Sequence, residues 1–579
     1  MRPDYDVAIM GGGPAGASLG ARLADAQLRT VILEEQVFPR EHIGESLASP
    51  AIPCLVESGA LGPVLSRSCW VRKFGGYYSW DSDAPSAGYF RHRQWEADGI
   101  HRWSLHVDRA AFDYVLLRHA RARGAHVYED SAVESVERAA NGTRVCLREG
   151  TELTCRIFVD ASGRMNRASA LNGRGWLSSY RNIAIWTHFT GGLPAQSLPG
   201  DWNIFRSGNL SPIGCFAFEL GWVWYIPVIQ TVNGSQIRTH SIGIVTDPKV
   251  LKLPATRLTD PGIFLDTLRR VPLLRDLIRD IAPVKKDLRT ATNYSMISSK
   301  MNDFDDRWIA IGDAAFFVDP LFSSGVSFAM LQAAAAARLI QVTLSDDLDE
   351  DMKRGLWNDY SDVWTLTATS FAASIDQWYA AIAHANPNSV YWNERSSDQS
   401  FFNRMTSFEW LLDADVTGDL IQIMTRGSGR LNELPKDGAL MRSISEVVHN
   451  EPREDSVLRL QSGVTVCRSA TLNAKHNGLP DPWSHGPYWE DPMKCRQEVA
   501  PLYGDPRSCF RFRSREDEGG YVRFFDEESG RNLARLLTSG RPYGALRSEL
   551  SEAQWDLLLR LIAARMVEVE NRAHAQAAV

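Results

Sequence analysis

A glycine-rich turn near the start of the chain constrains the fold more than any other feature. The apolar run Asp6–Met10 predicts a short strand, and the Ala- and Leu-rich stretch that follows residue 16 predicts a helix. Between them stand Gly11-Gly12-Gly13-Pro14-Ala15-Gly16. This G-x-G-x-x-G pattern permits a tight turn, lets a pyrophosphate approach the backbone and lets the helix pack closely on the strand. It predicts an α/β fold with a Rossmann-like dinucleotide-binding domain.

A carboxylate follows the second predicted strand. The apolar run Thr30–Leu33 ends at Glu34, where an acidic side chain can accept hydrogen bonds from a ribose. A carboxylate at this position disfavours a 2′-phosphate, so NADP is not expected. FAD and NAD remain as candidates at this point.

A second segment of the chain predicts another buried strand and a helix start that can bind an anion. The run Trp308–Ile311 predicts a buried strand that ends in Gly312-Asp313. An Ala-rich helix comes later, and the residues before it are Asp319-Pro320-Leu321-Phe322-Ser323-Ser324-Gly325-Val326. Backbone N–H groups in the Ser-Ser-Gly loop at this helix start can bind negative charge.

Together with three further pieces, these segments resemble the FAD-dependent hydroxylase superfamily. The pieces are Phe38-Pro39-Arg40 with Gly44-Glu45-Ser46, Asp108-Arg109 with Phe112-Asp113, and Phe158–Gly163. The resemblance implies an FAD-binding domain of the glutathione reductase and para-hydroxybenzoate hydroxylase type, with an inserted substrate-side sheet. It implies FAD as the cofactor, with the binding residues Gly11, Gly13, Pro14, Ala15, Gly16, Glu34, Arg40, Ser46, Arg109, Asp313, Pro320, Gly325 and Val326.

The middle of the chain contains two tryptophans at a fixed spacing, in Trp222-Val223-Trp224-Tyr225-Ile226-Pro227. The alternation predicts a strand with both indoles on one face, which Pro227 ends because it has no N–H to donate. Packing in a core would by itself account for such a strand. The meaning of the motif depends on the rest of the chain.

Over roughly its first 400 residues the chain resembles the flavin-dependent halogenases, in which W-x-W-x-I-P is a hallmark. Their second hallmark is a lysine, and Lys73 precedes an aromatic strand at the corresponding place. A partly desolvated amine can be neutral enough to attack an electrophilic halogen, or charged enough to orient hypohalous acid. The plainer interpretation of Lys73 is a solvated surface residue, and its coincidence with the tryptophan motif favours catalysis.

The halogenase resemblance implies a complete reaction. A separate NAD(P)H-dependent flavin reductase delivers FADH2, and O2 and a halide ion, chloride or bromide, give hypohalous acid at the flavin. The halide lies at Ser323, Ser324 and Gly325. Lys73 passes the halogen to an electron-rich organic substrate, while Trp222 and Trp224 keep that substrate away from the flavin. Natural-product biosynthesis, such as that of antibiotics, is the expected context.

One departure from the family pattern bears on the substrate. Tryptophan halogenases have a glutamate just before the Ser-Thr-Gly of the halide loop, whereas this chain has Phe322. We therefore expect the branch that acts on phenols, pyrroles or acyl groups tethered to a carrier protein, rather than on free tryptophan. Such an acceptor needs a base, and the sequence does not choose among the candidates Asp81, Asp83, His92, His101 and His106.

Three other functions use the same FAD residues. The first is a monooxygenase that hydroxylates an aromatic ring, such as a tryptophan side chain within a peptide. The second is a flavin-dependent reductase of the geranylgeranyl type, which Lys73 and the paired tryptophans disfavour. The third is a catalytically silent flavoprotein that acts as a binding module, although Gly13, Asp313 and Gly325 are all retained.

Composition narrows the class of protein. A net charge of −7 argues against a nucleic-acid partner. The eight cysteines form no C-x-x-C pair and stand near no histidine cluster, so neither a metal site nor a disulfide framework is expected. No charged-then-apolar leader precedes the first strand and no run of eighteen apolar residues is evident, so we expect a cytoplasmic enzyme without membrane contact.

Three segments are expected along the chain. Residues 1–345 form the FAD-binding core, with the substrate sheet inserted at about 60–110 and 175–290. Residues 346–510 form a helical and irregular extension, irregular chiefly from about residue 450. Residues 511–579 form a small winged-helix-like domain with two amphipathic helices, around Leu533–Leu537 and Trp555–Val567.

Overall fold

The glycine-rich turn lies between strand β1 (Tyr5–Met10) and helix α1 (Pro14–Asp25) in the computed structural model of the protein, as its sequence predicts. Gly11 has a φ of +105°, and a Cβ there would lie 2.4 Å from the carbonyl oxygen of Ala161. Only glycine fits such a turn. The structure describes residues 2–79, 86–89, 103–139, 142–165, 174–176, 181–198, 211–232, 234–292, 294–394, 452–472, 502–513, 521–563 and 566–570.

The nucleotide-binding sheet contains the first two predicted strands. Its strands are β1 (Tyr5–Met10), β2 (Thr30–Leu33), β6 (His126–Tyr128), β7 (Val133–Ala139), β8 (Gly142–Leu147), β9 (Glu152–Asp160), β18 (Asn302–Asp303) and β19 (Trp308–Ala310). They run in the order β18-β19-β9-β1-β2-β6, and β19 through β6 are parallel. Strand β8 pairs with β9, and β7 pairs with β8. The carboxyl ends of parallel strands meet at one edge of a sheet. This edge therefore brings together Gly11, Glu34 and the Gly312-Asp313 turn.

A second, nine-stranded sheet contains the tryptophan motif and Lys73. Its strands are β3 (Trp70–Ser79), β4 (Ser86–Tyr89), β5 (Ser104–Val107), β11 (Ile183–Thr190), β12 (Ser211–Phe218), β13 (Gly221–Val232), β14 (Ser235–Thr246), β15 (Ala282–Pro283) and β16 (Arg289–Thr292). The order is β15-β11-β14-β13-β12-β3-β4, with β16 paired to β11 and β5 paired to β3.

The prediction that Pro227 ends its strand is wrong. Strand β13 continues to Val232, and Pro227 lies opposite His240 of β14. The pairing of β12 with β13 reaches only Tyr225. Beyond that residue, β14 is the one strand paired with β13 among the described residues, and a strand paired on one side tolerates a missing N–H.

A β-bulge decides which face of this sheet Lys73 occupies. Ser211 of β12 lies opposite Lys73, whereas Ile213 lies opposite Gly76, so β3 has one extra residue in between. The bulge places Lys73 on the same face as Trp224, whose partner across β12 is Cys215. The opposite face forms an apolar core with residues such as Val223, Tyr225, Ile242, Ile244, Phe264 and Leu268.

The remaining strands of this part of the chain, β10 (Arg174–Trp176), β17 (Met296–Ser298) and β20 (Phe316–Phe317), form a small sheet. The helices are α1 (Pro14–Asp25), α2 (Ala51–Glu57), α3 (Leu61–Leu65), α4 (Arg109–Ala122), α5 (Pro261–Arg270), α6 (Leu274–Leu277), α7 (Gly325–Leu344), α8 (Glu350–Ala385) and α9 (Val390–Asn393). Among the described residues, α7 alone is long and apolar enough to cross a membrane, and 78% of that stretch is buried inside the protein. Such burial is typical of a core helix.

The chain divides into two compact units. The first comprises residues 1–341, 375–415 and 482–502, and the second comprises residues 342–374, 416–481 and 503–579. Both sheets described above lie in the first unit. The division into three segments that the sequence suggests stays a prediction.

The second unit contains more regular structure than the sequence indicates. Its strands and its helices beyond α8 are β21 (Val457–Leu460), β22 (Thr465–Thr471), β23 (Arg507–Arg513), β24 (Tyr521–Phe524), β25 (Arg541–Pro542), β26 (Val567–Glu570), α10 (Glu527–Thr538), α11 (Tyr543–Glu549) and α12 (Glu552–Ala563). Strands β21 and β22 lie in the stretch expected to be irregular, so that expectation is wrong there. Both strands are short, and their alternation is outweighed by the turn-forming residues around them. Helix α11 was not predicted, because seven residues without a side-chain cap give little local signal.

Candidate active site

Glu34 is fixed in place at the end of β2. Its Oε2 accepts a hydrogen bond from the backbone N–H of Gly12 at 2.7 Å, and its Oε1 accepts one from Gln36 at 3.0 Å. Burial raises the pKa of Glu34, although the Gly12 N–H and the Arg40 guanidinium oppose that rise. The side chain is thus held at the position where a ribose hydroxyl would donate to it.

A buried ion pair anchors the loop that contains Arg40. Arg109 of α4 donates from Nε and Nη2 to the two carboxylate oxygens of Asp113, at 2.8 and 2.9 Å, and from Nη1 to the carbonyl oxygen of Ile43 at 2.7 Å. Burial would raise the pKa of Asp113, but the charge and hydrogen bonds of Arg109 hold it below its usual value. Arg40 also lies 3.4 Å from Asp113, so one carboxylate positions both arginines.

A dinucleotide cofactor fits this edge of the sheet. Helix α1 begins after Gly13 with no side-chain cap, so the N–H groups of its first turn are available to an external acceptor such as a pyrophosphate. A Cβ on Gly13 would lie 3.3 Å from Arg40, which places that guanidinium over the same turn. Asp313 lies at the same edge of the sheet. Burial raises the pKa of its carboxyl to about 6, and the charge of Arg109 opposes this rise.

The loop before α7 is held by a buried carboxylate. Asp319 accepts hydrogen bonds from the backbone N–H of Leu321 and from the hydroxyl of Tyr379, both at 2.9 Å. Ser323 has a positive φ of 61°, and the helix begins at Gly325, as predicted. The buried ring of Phe322 lies 5.2 Å from Tyr78 of β3. The loop therefore places a helix N-terminus beside the nine-stranded sheet that contains Lys73.

Lys73 is fully buried rather than partly desolvated. It lies within β3, not before the strand, and its Nζ donates to the carbonyl oxygen of Leu47 at 3.0 Å. Burial lowers the pKa of Lys73 to about 7. The amine therefore exists in comparable amounts as neutral and charged forms near neutral pH.

Cys215 connects Lys73 with the loop before α7. Its thiol interacts electrostatically with Lys73 and with Asp319, and its Sγ lies 3.9 Å from the carbonyl oxygen of Leu321. Burial raises the pKa of this thiol, so it stays protonated. The face of the sheet that bears Lys73 is thus the face that adjoins this loop.

The two indoles of the motif lie on one face, as predicted, and a third indole joins them. The ring of Trp224 lies 6.2 Å from Trp222 on one side and 6.2 Å from Trp186 on the other. Trp224 Nε1 donates to Ser241 Oγ at 3.1 Å. Gly243 lies between Trp186 and Trp224 across the strands, and a Cβ there would come within 2.1 Å of the Trp224 ring. The sequence around Trp186 does not indicate that this residue belongs to the site, because only the order of strands β11, β14 and β13 places it beside the motif.

Of the candidate bases, the structure describes His106; Asp81, Asp83, His92 and His101 lie outside the described residues. His106 is fully buried and lies on β5, next to the strand of Lys73. Ser46, expected to bind FAD, is buried directly opposite His106 in an isolated β-bridge, and its contact with FAD stays a prediction. Within the described ranges, no group of His, Cys, Asp and Glu side chains could hold a metal ion.

Comparison with known sequences identifies similar proteins. Residues 67–242 match the family model described as tryptophan halogenase. The 1H-pyrrole-2-carbonyl-[peptidyl-carrier protein] chlorinase of Pseudomonas fluorescens is 30% identical over 407 residues, which cover 66% of this chain and 83% of that protein. The flavin-dependent halogenase armH3 of Armillaria mellea is 31% identical over 367 residues, covering 60% of this chain and 69% of that protein.

Solved structures of two halogenases are also similar to this protein. The myxobacterial chondrochloren halogenase CndH, described as a variant of FAD-dependent halogenases, matches with a TM-score of 0.56 and 26% identity, over 72% of this chain and 91% of that one. The flavin-dependent halogenase CmlS matches with a TM-score of 0.63 and 23% identity over 99% of both chains. The second match, at 23% identity, is a likeness of fold.

Proposed function

This chain belongs to the flavin-dependent halogenase family, and from that premise we propose that it halogenates an electron-rich ring by way of Lys73. The enzyme is an oxidoreductase that uses FAD. The observation that carries the proposal is the fully buried Lys73 amine, which lies on the sheet face that adjoins the loop before α7. A lysine at a solvated surface would have neither feature.

The first unit holds the cofactor and the halide. Reduced FAD, when bound, would supply two electrons and two protons, with which O2, a halide ion and one further proton give hypohalous acid and water. Gly13, Glu34 and Arg40 bind its pyrophosphate and ribose at the edge of the nucleotide-binding sheet. Ser323, Ser324 and Gly325 bind the halide at the N-terminus of α7, where backbone N–H groups favour an anion.

Lys73 then accepts the halogen. The lone pair of its neutral amine forms a bond to the halogen of hypohalous acid, the oxygen–halogen bond breaks, and the hydroxide released takes an amine proton to become water. The low pKa that burial gives Lys73 makes the neutral form available near pH 7. The halogen next passes from the lysine nitrogen to a ring carbon of the acceptor.

The tryptophans separate the acceptor from the flavin. Trp186, Trp224 and Trp222 form a continuous row on the face that bears Lys73. Trp222 also interacts with Tyr379, which is bonded to Asp319 beneath the halide loop. Trp222 and Trp224 are both buried, so this row of rings would keep an aromatic acceptor from reaching the flavin.

The acceptor is an aromatic acyl group, such as a pyrrole, tethered to a carrier protein. Phe322 occupies the position before the Ser-Ser-Gly loop, and the pyrrole-2-carbonyl carrier-protein chlorinase of P. fluorescens is a relative. A separate flavin reductase supplies FADH2. Halogenation in the biosynthesis of a natural product is consistent with this substrate class.

The test measures products with the chain, a flavin reductase, NADH, O2, and pyrrole-2-carbonyl carrier protein or phenol as acceptor, with and without bromide. We expect a brominated product, and at least a 100-fold loss of it in Lys73→Ala and Lys73→Arg, since the arginine side chain stays charged. Hypohalous acid, trapped with a small thiol, should form at the wild-type rate in both variants. The matched control is Lys249→Ala, because Lys249 is an exposed lysine paired with Glu394.

Two results would contradict the proposal. Wild-type yields of brominated product from Lys73→Ala would remove the lysine from the reaction. A product that gains one oxygen, whether or not bromide is present, would assign the chain to the hydroxylating monooxygenases instead.

A further inference from the structure

His106 lies beside Lys73 on the same face of the substrate sheet. In the antiparallel pair of β3 and β5, Ser104 lies opposite Lys73 and His106 lies opposite Val71. Lys73 and His106 are therefore diagonal neighbours, which long and aromatic side chains span. Lys73 also acts electrostatically on His106, and both side chains are fully buried.

Among the described residues, one ring nitrogen of His106 has a hydrogen-bond partner and the other has none. Nε2 lies 3.3 Å from the carbonyl oxygen of Ser211. A carbonyl only accepts hydrogen bonds, so Nε2 carries the ring hydrogen and Nδ1 has a free lone pair. Nδ1 is buried and has no hydrogen-bond partner among the residues that the structure describes.

A second buried polar atom lies next to His106. Ser46 is its partner in the isolated β-bridge, and Ser46 Oγ likewise has no hydrogen-bond partner in the described parts of the chain. Buried polar atoms without partners are rare because they lose their hydrogen bonds to water. His106 is the diagonal neighbour of Lys73, and Ser46 precedes Leu47, whose carbonyl oxygen accepts the hydrogen bond of the Lys73 amine. These two unpartnered atoms therefore mark a place near Lys73 where a transferred proton can be received.

The surroundings keep His106 neutral. Burial lowers its pKa well below the usual value, and Lys73, Arg238 and His240 add to that effect, while the Ser211 carbonyl opposes it. A neutral imidazole with an unused lone pair can accept a proton, and because burial disfavours its charged form it holds that proton only in passing.

We infer that His106 relays the proton lost by the acceptor ring to Lys73. This inference rests on the proposed function. A ring π pair forms the carbon–halogen bond while the nitrogen–halogen bond breaks. In the same step the ring carbon–hydrogen bond gives its pair back to the ring, and its proton passes through His106 Nδ1 to the electron pair left on the lysine nitrogen, which becomes a neutral amine without passing through an anion. Both residues end neutral, as they began.

His106→Asn tests the relay. The variant retains a buried polar side chain but has no basic nitrogen, so we expect brominated pyrrole or phenol to fall by about 100-fold or more. Hypohalous acid formation should stay at the wild-type rate. Proton loss should become rate-limiting, so acceptor deuterated at the ring carbon should react more slowly than protonated acceptor in the variant, but not in the wild type. A merely structural role would not create such an isotope effect.

The matched control is His240→Asn. His240 is also a buried histidine of this sheet, stacked on Tyr225 with ring centroids 4.5 Å apart. It should show no isotope effect. An equal yield from His106→Asn, or a reduced yield without an isotope effect, overturns the relay alone. Absence of brominated product from the wild type overturns the proposed function, and the relay with it.

Discussion

At the scale of single residues, burial decides the chemistry of Lys73. Its pKa is lowered to about 7 because the protein interior disfavours the charged amine. The neutral fraction therefore rises with pH and is nearly complete above pH 8, while below pH 7 it falls about tenfold for each pH unit. We expect the yield of brominated product per FADH2 consumed to follow this curve, measured between pH 5.5 and pH 9.

The formation of hypohalous acid without acceptor provides the control for this profile, because that step precedes Lys73. Dividing the pH profile of brominated product by that of hypohalous acid formation leaves the pH dependence of the step at Lys73. A ratio that is flat, or that falls as pH rises through 7, would show that the charged ammonium rather than the neutral amine handles the halogen.

At the scale of secondary-structure elements, Gly243 of β14 sets the position of the tryptophan row. A Cβ at this position would lie 2.1–2.5 Å from three atoms of the Trp224 indole. Gly243→Ala must therefore displace the ring and weaken its hydrogen bond to Ser241. We expect a loss of about 1–3 kcal/mol in the free energy of unfolding, measured by chemical denaturation, and a lower yield of brominated product per FADH2.

A double-mutant cycle checks the cause of that loss. Trp224→Phe shortens the ring that would clash, so Gly243→Ala should cost less stability in its presence than alone. Equal costs in the two backgrounds would show that Gly243 acts through the backbone and not through the indole.

At the scale of the whole molecule, the second unit contains a buried ion network beside its apolar core. Asp359 accepts hydrogen bonds from Arg523 at 2.9 Å and from Thr471 at 2.8 Å, and it also pairs with Arg511. Asp359→Asn removes the negative charge that faces two buried guanidinium groups, so we expect the free energy of unfolding to fall by about 3–5 kcal/mol. Calorimetry should show an earlier transition. FAD binding should be unchanged at lower temperature, because the predicted FAD residues lie in the first unit.

Glu527→Gln is the matched control in the same unit. Glu527 pairs with Arg531 at 2.8 Å on an exposed helix surface, where an ion pair contributes at most about 1 kcal/mol. If Asp359→Asn unfolds at the same temperature as this control, the buried network does not stabilise the unit.

The sequence by itself determined the local features. The glycine turn, the carboxylate at Glu34, the helix start at Gly325 and the shared face of Trp222 and Trp224 follow from residues close together in the chain, and the structure places all of them as expected. Neighbours along the chain fix turns, helix starts and strand alternation, so these features are readable without the fold.

Only the tertiary structure decided what surrounds Lys73. The bulge that turns it toward Cys215, the bridge that sets His106 against Ser46 and the strand order that brings Trp186 to the tryptophan row each join residues far apart in sequence. Strand order and register arise from packing across the whole sheet, and a shift of one residue would turn every side chain to the other face. The sequence could therefore name Lys73 and offer His106 as one of five candidate bases, but it could not show the burial of the lysine, its pKa or which candidate lies beside it.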